Sequence, residues 1–342
     1  MRRLPIYFVL DCSESMVGEA FDGMKKGLKS LLAELTRDPA AMELAYLSVI
    51  SFASSAKQVV PLTELCQFRV PELTLGSGTA LGAALQLLEN KVNQEVVRST
   101  MTQKGDYKPI VFLMTDGEPT DSWLPVAGRL MHNHHIQTVA VGVGPDVNLQ
   151  SLMRISENVI HARVPEEENF SRFFKFVSSS VSTASQQIDS GNEGKIDLRK
   201  LPESDSIVIV DNTTPIPEVI PGRLLFLHLK CSSSDKYVLI KYEKREQSGF
   251  FSSKTYYELV GSFPVDDFDF SGNDKKLTIS TEQLQGDFIC PYCGNESWAR
   301  CSCGSIFCCC EIINNQAWLE CPWCNQTGYY APSSFNLGGG AG

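Results

Sequence analysis

Two groups of residues in this chain have the types and spacing to hold metal ions. The first is built from oxygen. Asp11-Cys12-Ser13-Glu14-Ser15 directly follows an apolar run, Thr79 follows the turn Gly76-Ser77-Gly78, and Thr115-Asp116-Gly117 directly follows a second apolar run. Together they offer two carboxylates, Asp11 and Asp116, and three hydroxyls, Ser13, Ser15 and Thr79. Mg²⁺ is a hard, octahedral cation that prefers oxygen and keeps open positions for water or a partner. Alternation inside Asp11-x-Ser13-x-Ser15 lets a turning loop aim every second side chain at one ion, and the glycines before Thr79 permit close backbone approach. Ser and Asp after strands are also common caps and turn formers. One such element would be read as structural; three in this order point to a metal site.

The second group is built from sulfur. Nine of the twelve cysteines lie between Cys290 and Cys324, and only Cys12, Cys66 and Cys231 stand apart. The groupings are Cys290-x-x-Cys293, Cys301-x-Cys303, Cys308-Cys309-Cys310 and Cys321-x-x-Cys324. Short Cys-Pro-x-Cys loops bring two thiolates to one tetrahedral Zn²⁺. Cys290, Cys293, Cys301, Cys303, Cys308, Cys310, Cys321 and Cys324 can fill two four-sulfur sites and leave Cys309 spare; a single site using fewer pairs is the alternative. No thioredoxin-like βαβ pattern surrounds these pairs, which argues against a redox motif. Four thiolates leave no open position, so such zinc folds a segment and does not catalyse.

The oxygen group needs a frame that brings three distant loops to one rim. The first half alternates apolar runs, at Ile6 to Leu10, Leu44 to Phe52, Ile110 to Met114 and Thr138 to Val143, with helical periods at Phe21 to Leu35, Thr79 to Val92, Trp123 to Met131 and Phe170 to Val181. That pattern predicts a doubly wound α/β domain over residues 1–185, with ligands beyond the carboxyl ends of its strands. Residues 186–205, rich in Ser, Gln and Gly, read as a linker. Strand-like runs separated by Ser, Gly, Asp and Pro then predict a small β-rich module over 206–331, carrying the cysteines at 290–324. Residues 332–342 read as a flexible tail.

Composition narrows the function. A net charge of −10 argues against a nucleic-acid backbone as partner, and no apolar stretch is long enough to span a bilayer. Clustered Cys-x-x-Cys pairs without a secretory signal point to metal in a reducing compartment, so the chain reads as cytoplasmic. His132, His134 and His135 read as a polar helix end, His161 as packed or exposed, Cys12 as core, and Asp121 as a cap for the Trp123 helix.

At these residues the sequence resembles a known family. Asp11-Cys12-Ser13-Glu14-Ser15-Met16, Gly78-Thr79-Ala80-Leu81 and Thr115-Asp116-Gly117 resemble the metal-ion-dependent adhesion site (MIDAS) of von Willebrand factor type A (VWA) domains. The resemblance implies that Asp11, Ser13, Ser15, Thr79 and Asp116 hold Mg²⁺ (or Mn²⁺ or Ca²⁺), with one position left for a partner's carboxylate. The whole chain resembles the TerY family of bacterial VWA proteins through Thr115-Asp116-Gly117-Glu118-Pro119-Thr120-Asp121, Tyr237 to Tyr242, Val260-Gly261-Ser262-Phe263-Pro264 and the cysteine stretch. Cys308-Cys309-Cys310 departs from the simpler spacing expected there. This resemblance implies a scaffold in a tellurium-resistance or stress-response system, working beside a protein kinase and a PP2C-type phosphatase. Two rivals are a VWA protein with a zinc tail, such as a structural subunit of transcription factor IIH or a RING-like ubiquitin ligase, and an enzyme. RING sites usually include histidine, and none lies between Cys290 and Cys324. No catalytic triad, phosphate loop or open zinc site is legible, so the expectation is a binding protein and not an enzyme.

Overall fold

The computed structural model describes residues 2–100, 102, 104–145, 147–164, 167–188, 198, 201, 206–210, 222–248, 253–265, 268–269, 276–309, 317–331 and 334–341. The chain divides into two compact units, 1–74 with 78–219, and 75–77 with 220–342.

In chain order the first half forms β1 (Leu4–Asp11), α1 (Glu19–Leu35), α2 (Pro39–Leu44), β2 (Ala45–Phe52), β3 (Ala56–Glu64), β4 (Leu75–Gly76), α3 (Leu81–Glu95), β5 (Ile110–Thr115), α4 (Leu124–Met131), β6 (Gln137–Val143), α5 (Leu149–Met153), β7 (Asn158–Ala162) and α6 (Glu167–Ile188), followed by β8 (Ile207–Val210). The first unit's sheet has the order β3-β2-β1-β5-β6-β7-β8. Its five middle strands are parallel, while β3 and β8 run antiparallel at the edges. Every residue of β1 and β5 is buried, because side chains alternate across a sheet that is covered on both faces. Tyr7, Val9, Val111 and Leu113 pack with Leu81, Leu85, Leu88, Val126 and Leu152 on one face. On the other, Phe8 stacks on Phe112 at 5.6 Å and meets Phe174 of α6 at 6.4 Å.

The α1–α6 contact has a specific basis. Gly23 and Gly27 of α1 lie under Phe170 and Phe174, and a Cβ built on Gly27 would fall 2.2 Å from the Phe174 ring. Gly to Ala normally stabilises a helix interior by about 0.5–1 kcal/mol, but overpacking a close contact costs about 1–3 kcal/mol. The second effect is larger here, because Phe174 is itself held by Phe8 and Phe173. Gly27→Ala is therefore expected to lower the urea midpoint of the first unit; an unchanged or raised midpoint would show that the ring is free to move aside.

The strand expected at Ser206 to Val210 belongs to this sheet and not to the second unit. Ile207–Val210 pairs antiparallel with β7, from Ala162↔Ile207 to Val159↔Val210. Its Ile-Val-Ile-Val run suits any sheet edge, and the β7 edge was open. The linker reading at 186–205 falls almost wholly outside the described residues. The helix α2 gave only a local signal, Asp38-Pro39: the Asp38 carboxylate accepts from the Ala40 and Ala41 amides, and proline occupies the first turn.

The second unit is β-rich as expected. It contains β4 with β9 (Leu224–Lys230), β10 (Tyr237–Ser248), β11 (Ser253–Val265), β12 (Phe268–Asp269), β13 (Lys276–Ser280), β14 (Leu284–Gln285), β15 (Ser297–Arg300), β16 (Ile306–Cys309), β17 (Ala317–Glu320), β18 (Thr327–Tyr330) and β19 (Asn336–Ala341). The main order is β13-β19-β9-β10-β11-β14, with β15 on β16 and β16 on β9; β4 pairs with β12, and β17 with β18. The tail read as flexible instead supplies β19, which pairs with β13 and with the start of β9. Glycine-rich residues 338–340 carry no helix or strand preference of their own, and the partner strands impose the extended form.

Candidate metal centres

The three oxygen-bearing loops meet at the carboxyl edge of the first sheet. Asp11 is the last residue of β1, and Thr115 the last of β5, its parallel neighbour. From β1 the chain passes to β2 on one side, while β5 lies on the other. This is the topological switch point, where a crevice forms in doubly wound sheets.

The local hydrogen bonds show why the loops hold their shape. Asp11 Oδ1 accepts the Ser13 amide at 2.8 Å, and the Thr115 hydroxyl donates to Asp11 Oδ2. The Ser13 and Ser15 hydroxyls are 2.9 Å apart, and Ser15 Oγ donates to Asp116 Oδ1 at 2.6 Å. Thr79 is tied to the third loop twice: its amide donates to Thr120 Oγ1 at 3.0 Å, and the Thr120 amide donates to its carbonyl at 2.9 Å. A Cβ on Gly117 would lie 3.1 Å from Thr79 Oγ1 and 3.4 Å from Ser15 Oγ, so glycine leaves room for the two hydroxyls. Asp11, Ser13, Ser15, Thr79 and Asp116 are thus all brought to one rim.

The set fits a hard divalent cation. Oxygens at about 2.1 Å around an octahedral ion sit about 2.9 Å from their neighbours; the Ser13 and Ser15 hydroxyls have that spacing, and Ser15 and Asp116 are slightly closer at 2.6 Å. Asp11 is fully buried, and burial pushes its carboxyl up to about 6 against the hydrogen bonds from Ser13 and Thr115. A buried carboxylate with no counter-charge is costly; a bound cation supplies that charge.

Asp121 does cap a helix, but not the one beside it in sequence. Its carboxylate accepts the Gly82 and Ala83 amides, each at 2.8 Å, at the start of α3. It thereby fixes the helix that begins just after Thr79. Cys12 is buried core. His132, His134 and His135 lie between α4 and the start of β6, at the opposite end of the strands from Asp11 and Asp116. His161 is buried, its Nε2 is 2.9 Å from the Gly144 carbonyl, and burial lowers its pKa.

In the second unit the sulfurs separate into two sets, Cys231 with Cys290, Cys293 and Cys308, and Cys301 with Cys303, Cys321 and Cys324; within each, all four sulfurs lie within 4.8 Å of one another. The Sγ separations are 3.5 Å for Cys293–Cys308, 3.6 Å for Cys301–Cys324 and 3.9 Å for Cys303–Cys321. A tetrahedral ion with bonds of about 2.3 Å to sulfur requires edges of about 3.8 Å, so the geometry fits zinc.

Four turns of one kind carry most of these sulfurs. Cys231, Cys290 and Cys321 each accept, at the carbonyl, the amide four residues on (Asp235, Gly294, Asn325), and donate their own amide to the carbonyl five residues on. Cys301 makes a turn one residue shorter, with Gly304 and Ser305. Asp235, Gly294, Gly304 and Asn325 all have positive φ, a conformation that Gly, Asn and Asp adopt most readily. The turn at Cys231 matches the others, but Ser234 stands where the second cysteine would be. Cys308 completes that set from β16, while Cys309 faces the other side of the strand and packs with Cys301, Cys321 and Phe307.

To the ligands read from spacing the structure adds Cys231 in the first set, and Cys310 lies outside the described residues. Thiol pKa values split within each set. For Cys301, burial is outweighed by hydrogen bonds from the Cys303 amide, Tyr330 and neighbouring sulfurs, bringing it down to about 6. Burial pushes Cys290 and Cys321 up to about 12. Metal binding to such thiols requires their thiolate form and is therefore coupled to proton release.

Comparison with known proteins follows the same division. The family described as von Willebrand factor type A domain matches residues 6–186, and the TerY-C metal binding domain matches residues 223–341. Among solved structures, the chain is similar to proximal thread matrix protein 1 from the mussel byssus, with 21% identity over 52% of this chain and 47% of that one, and a TM-score of 0.40. Another structure of that protein, described as having a zinc-occupied MIDAS motif, gives 20% identity over 52% and 47%, with a TM-score of 0.39. A von Willebrand factor type A protein from Catenulispora acidiphila gives 13% identity over 79% of this chain and 67% of that one, with a TM-score of 0.43. The chain spans about half the length of the mussel protein. No curated protein matches it.

Proposed function

Because the chain belongs to the von Willebrand factor type A family and ends in a TerY-C metal-binding domain, we propose that it is a non-enzymatic adaptor that grips an acidic side chain of a protein partner through Mg²⁺. The observation that carries this reading is the meeting of Asp11, Ser13, Ser15, Thr79 and Asp116 at the switch point, a MIDAS-like arrangement of hard oxygens. Ser13, Ser15 and Thr79 supply neutral oxygens, so the cation keeps enough charge to hold a further carboxylate. Asp11, braced by Thr115 and the Ser13 amide, orients the loop, and Asp121 fixes the helix behind Thr79.

Ser15 is engaged with Ser13 and Asp116, which suits a ligand better than a nucleophile. Zinc in the two sulfur sets would hold the second unit together and leave no position for substrate. The TerY resemblance supports a place in a bacterial tellurium-resistance or stress-response system, beside a kinase and a PP2C-type phosphatase. Thiol-rich metal sets support a cytoplasmic location, and among the described residues no helix is long and apolar enough to cross a membrane.

The test is capture from an extract of the native host on the immobilised full chain, with Mg²⁺ or with EDTA, followed by mass spectrometry. The expected result is a kinase and a PP2C-type phosphatase retained only with Mg²⁺ and lost with Ser15→Ala. The same proteins retained in EDTA would overturn the metal-gated reading, and turnover of generic phosphate or ester substrates would overturn the non-enzymatic one.

A further inference from the structure

The two sulfur sets differ in how they meet solvent. In the first, Cys231, Cys290 and Cys308 are buried at 0%, 1% and 0% exposure, and Cys293 is half-buried. Cys308 Sγ is also covered by polar donors: the Ser232 amide at 3.2 Å, the Ser232 hydroxyl at 3.6 Å and Asn295 Nδ2 at 3.8 Å. In the second set Cys301 and Cys321 are buried, but Cys303 and Cys324 are exposed. Each exposed sulfur lies beside a buried one, Cys324 at 3.6 Å from Cys301 and Cys303 at 3.9 Å from Cys321.

We propose that the second set is an oxidation site, at which peroxide attacks Cys303 or Cys324 and releases the metal, while the first set stays loaded. This rests on the reading of both sets as zinc centres. Thiolate oxidation follows exposure, and a second thiolate nearby resolves the product. An exposed thiolate attacks the peroxide O–O bond, giving a sulfenic acid and, with one proton, one water. The neighbouring buried thiolate attacks that sulfur; the S–S bond forms, and the oxygen leaves as a second water after taking up another proton. Two thiolates have then given two electrons to one peroxide, and Zn²⁺ departs because only two thiolates remain.

The hairpin β17–β18 flanks Cys321 and Cys324 and presents Trp318 and Tyr329 to solvent. Tyr330, on the same hairpin, packs edge-on against Phe307 at 5.4 Å. Metal loss at the second set therefore frees a surface hairpin. The strand β16 keeps its pairing with β9, at Ile306↔Leu229 and Phe307↔Lys230.

The experiment treats the zinc-loaded full chain, carrying Cys66→Ser to remove an exposed thiol outside the two sets, with hydrogen peroxide. Zinc release is followed with a chromophoric chelator, and the remaining thiols are mapped by alkylation and mass spectrometry. The expected result is release of one ion, with the second at least about tenfold slower, and a disulfide joining Cys324 to Cys301 or Cys303 to Cys321. Both ions leaving at one rate, or loss of the Cys290, Cys293 and Cys308 thiols first, would overturn the proposal. Metal analysis before oxidation separates the two readings: a chain without zinc that loses Cys303 and Cys324 first would sink the zinc assignment but sustain the order of attack.

Discussion

Cys231→Ser is expected to halve the zinc content of the purified chain, from two ions to one. Cys231 is 59 residues before the next cysteine of its set, yet all four sulfurs lie within 4.8 Å. Structural zinc contributes about 10–16 kcal/mol of apparent binding energy in small thiolate-rich domains, comparable with the whole stability of a typical domain, about 5–15 kcal/mol. Removing one of four thiolates should therefore release that ion and loosen the strands it joins. Those strands are β9, which ends just before Cys231, and β16, which carries Cys308. Limited proteolysis should cut the second unit of the variant while the first unit persists. Cys310→Ser, by contrast, should leave both ions in place. Two ions in Cys231→Ser and one in Cys310→Ser would restore the ligand set that spacing alone suggested. Cys309→Ser should cost stability through a buried hydroxyl but leave the zinc count unchanged.

The second large effect concerns the oxygen site. Asp116→Ala should weaken Mg²⁺ binding by more than about a hundredfold, beyond the loss typical of residues that only orient ligands. Asp116 is half-buried and accepts from the Ser15 hydroxyl at the rim, so the variant should fold with little loss of stability in EDTA. Asp11→Ala should also abolish Mg²⁺ binding, but at a structural cost. It strips buried Thr115 Oγ1 and the Ser13 amide of their acceptor, and unsatisfied buried groups cost about 1–3 kcal/mol each. Calorimetric titration with Mg²⁺ and melting in EDTA read the two effects separately. Unchanged Mg²⁺ affinity in both variants would remove the metal assignment, and with it the basis for the proposed partner grip.

Much of this was legible from local pattern. Apolar runs ending in Asp11 and Asp116 located both strands and ligands, because a parallel strand covered on both faces must be apolar throughout and can turn polar only at its end. The pairs Cys290–Cys293 and Cys321–Cys324 were legible because both ligands come from one short turn. Alternation along β16 also has a local reading, since Cys308 and Cys309 must face opposite sides of a strand.

What only the tertiary structure decided depends on contacts between distant segments. Nothing near Cys231-Ser232-Ser233-Ser234 marks it as half of a metal site. It becomes one because β16 pairs in parallel with β9 at Phe307↔Lys230, which brings the residue after each of these, Cys308 and Cys231, into one set. Ile207–Val210 and Asn336–Ala341 likewise took their places from the edges open to them, β7 in one sheet and β9 with β13 in the other. Asp121 capped α3 and not its own neighbour because the close approach of Gly82 brought that helix within reach. Composition and spacing determined which chemistry this chain can do. Strand pairing, whose partners lie tens of residues apart, decided which sulfurs share an ion.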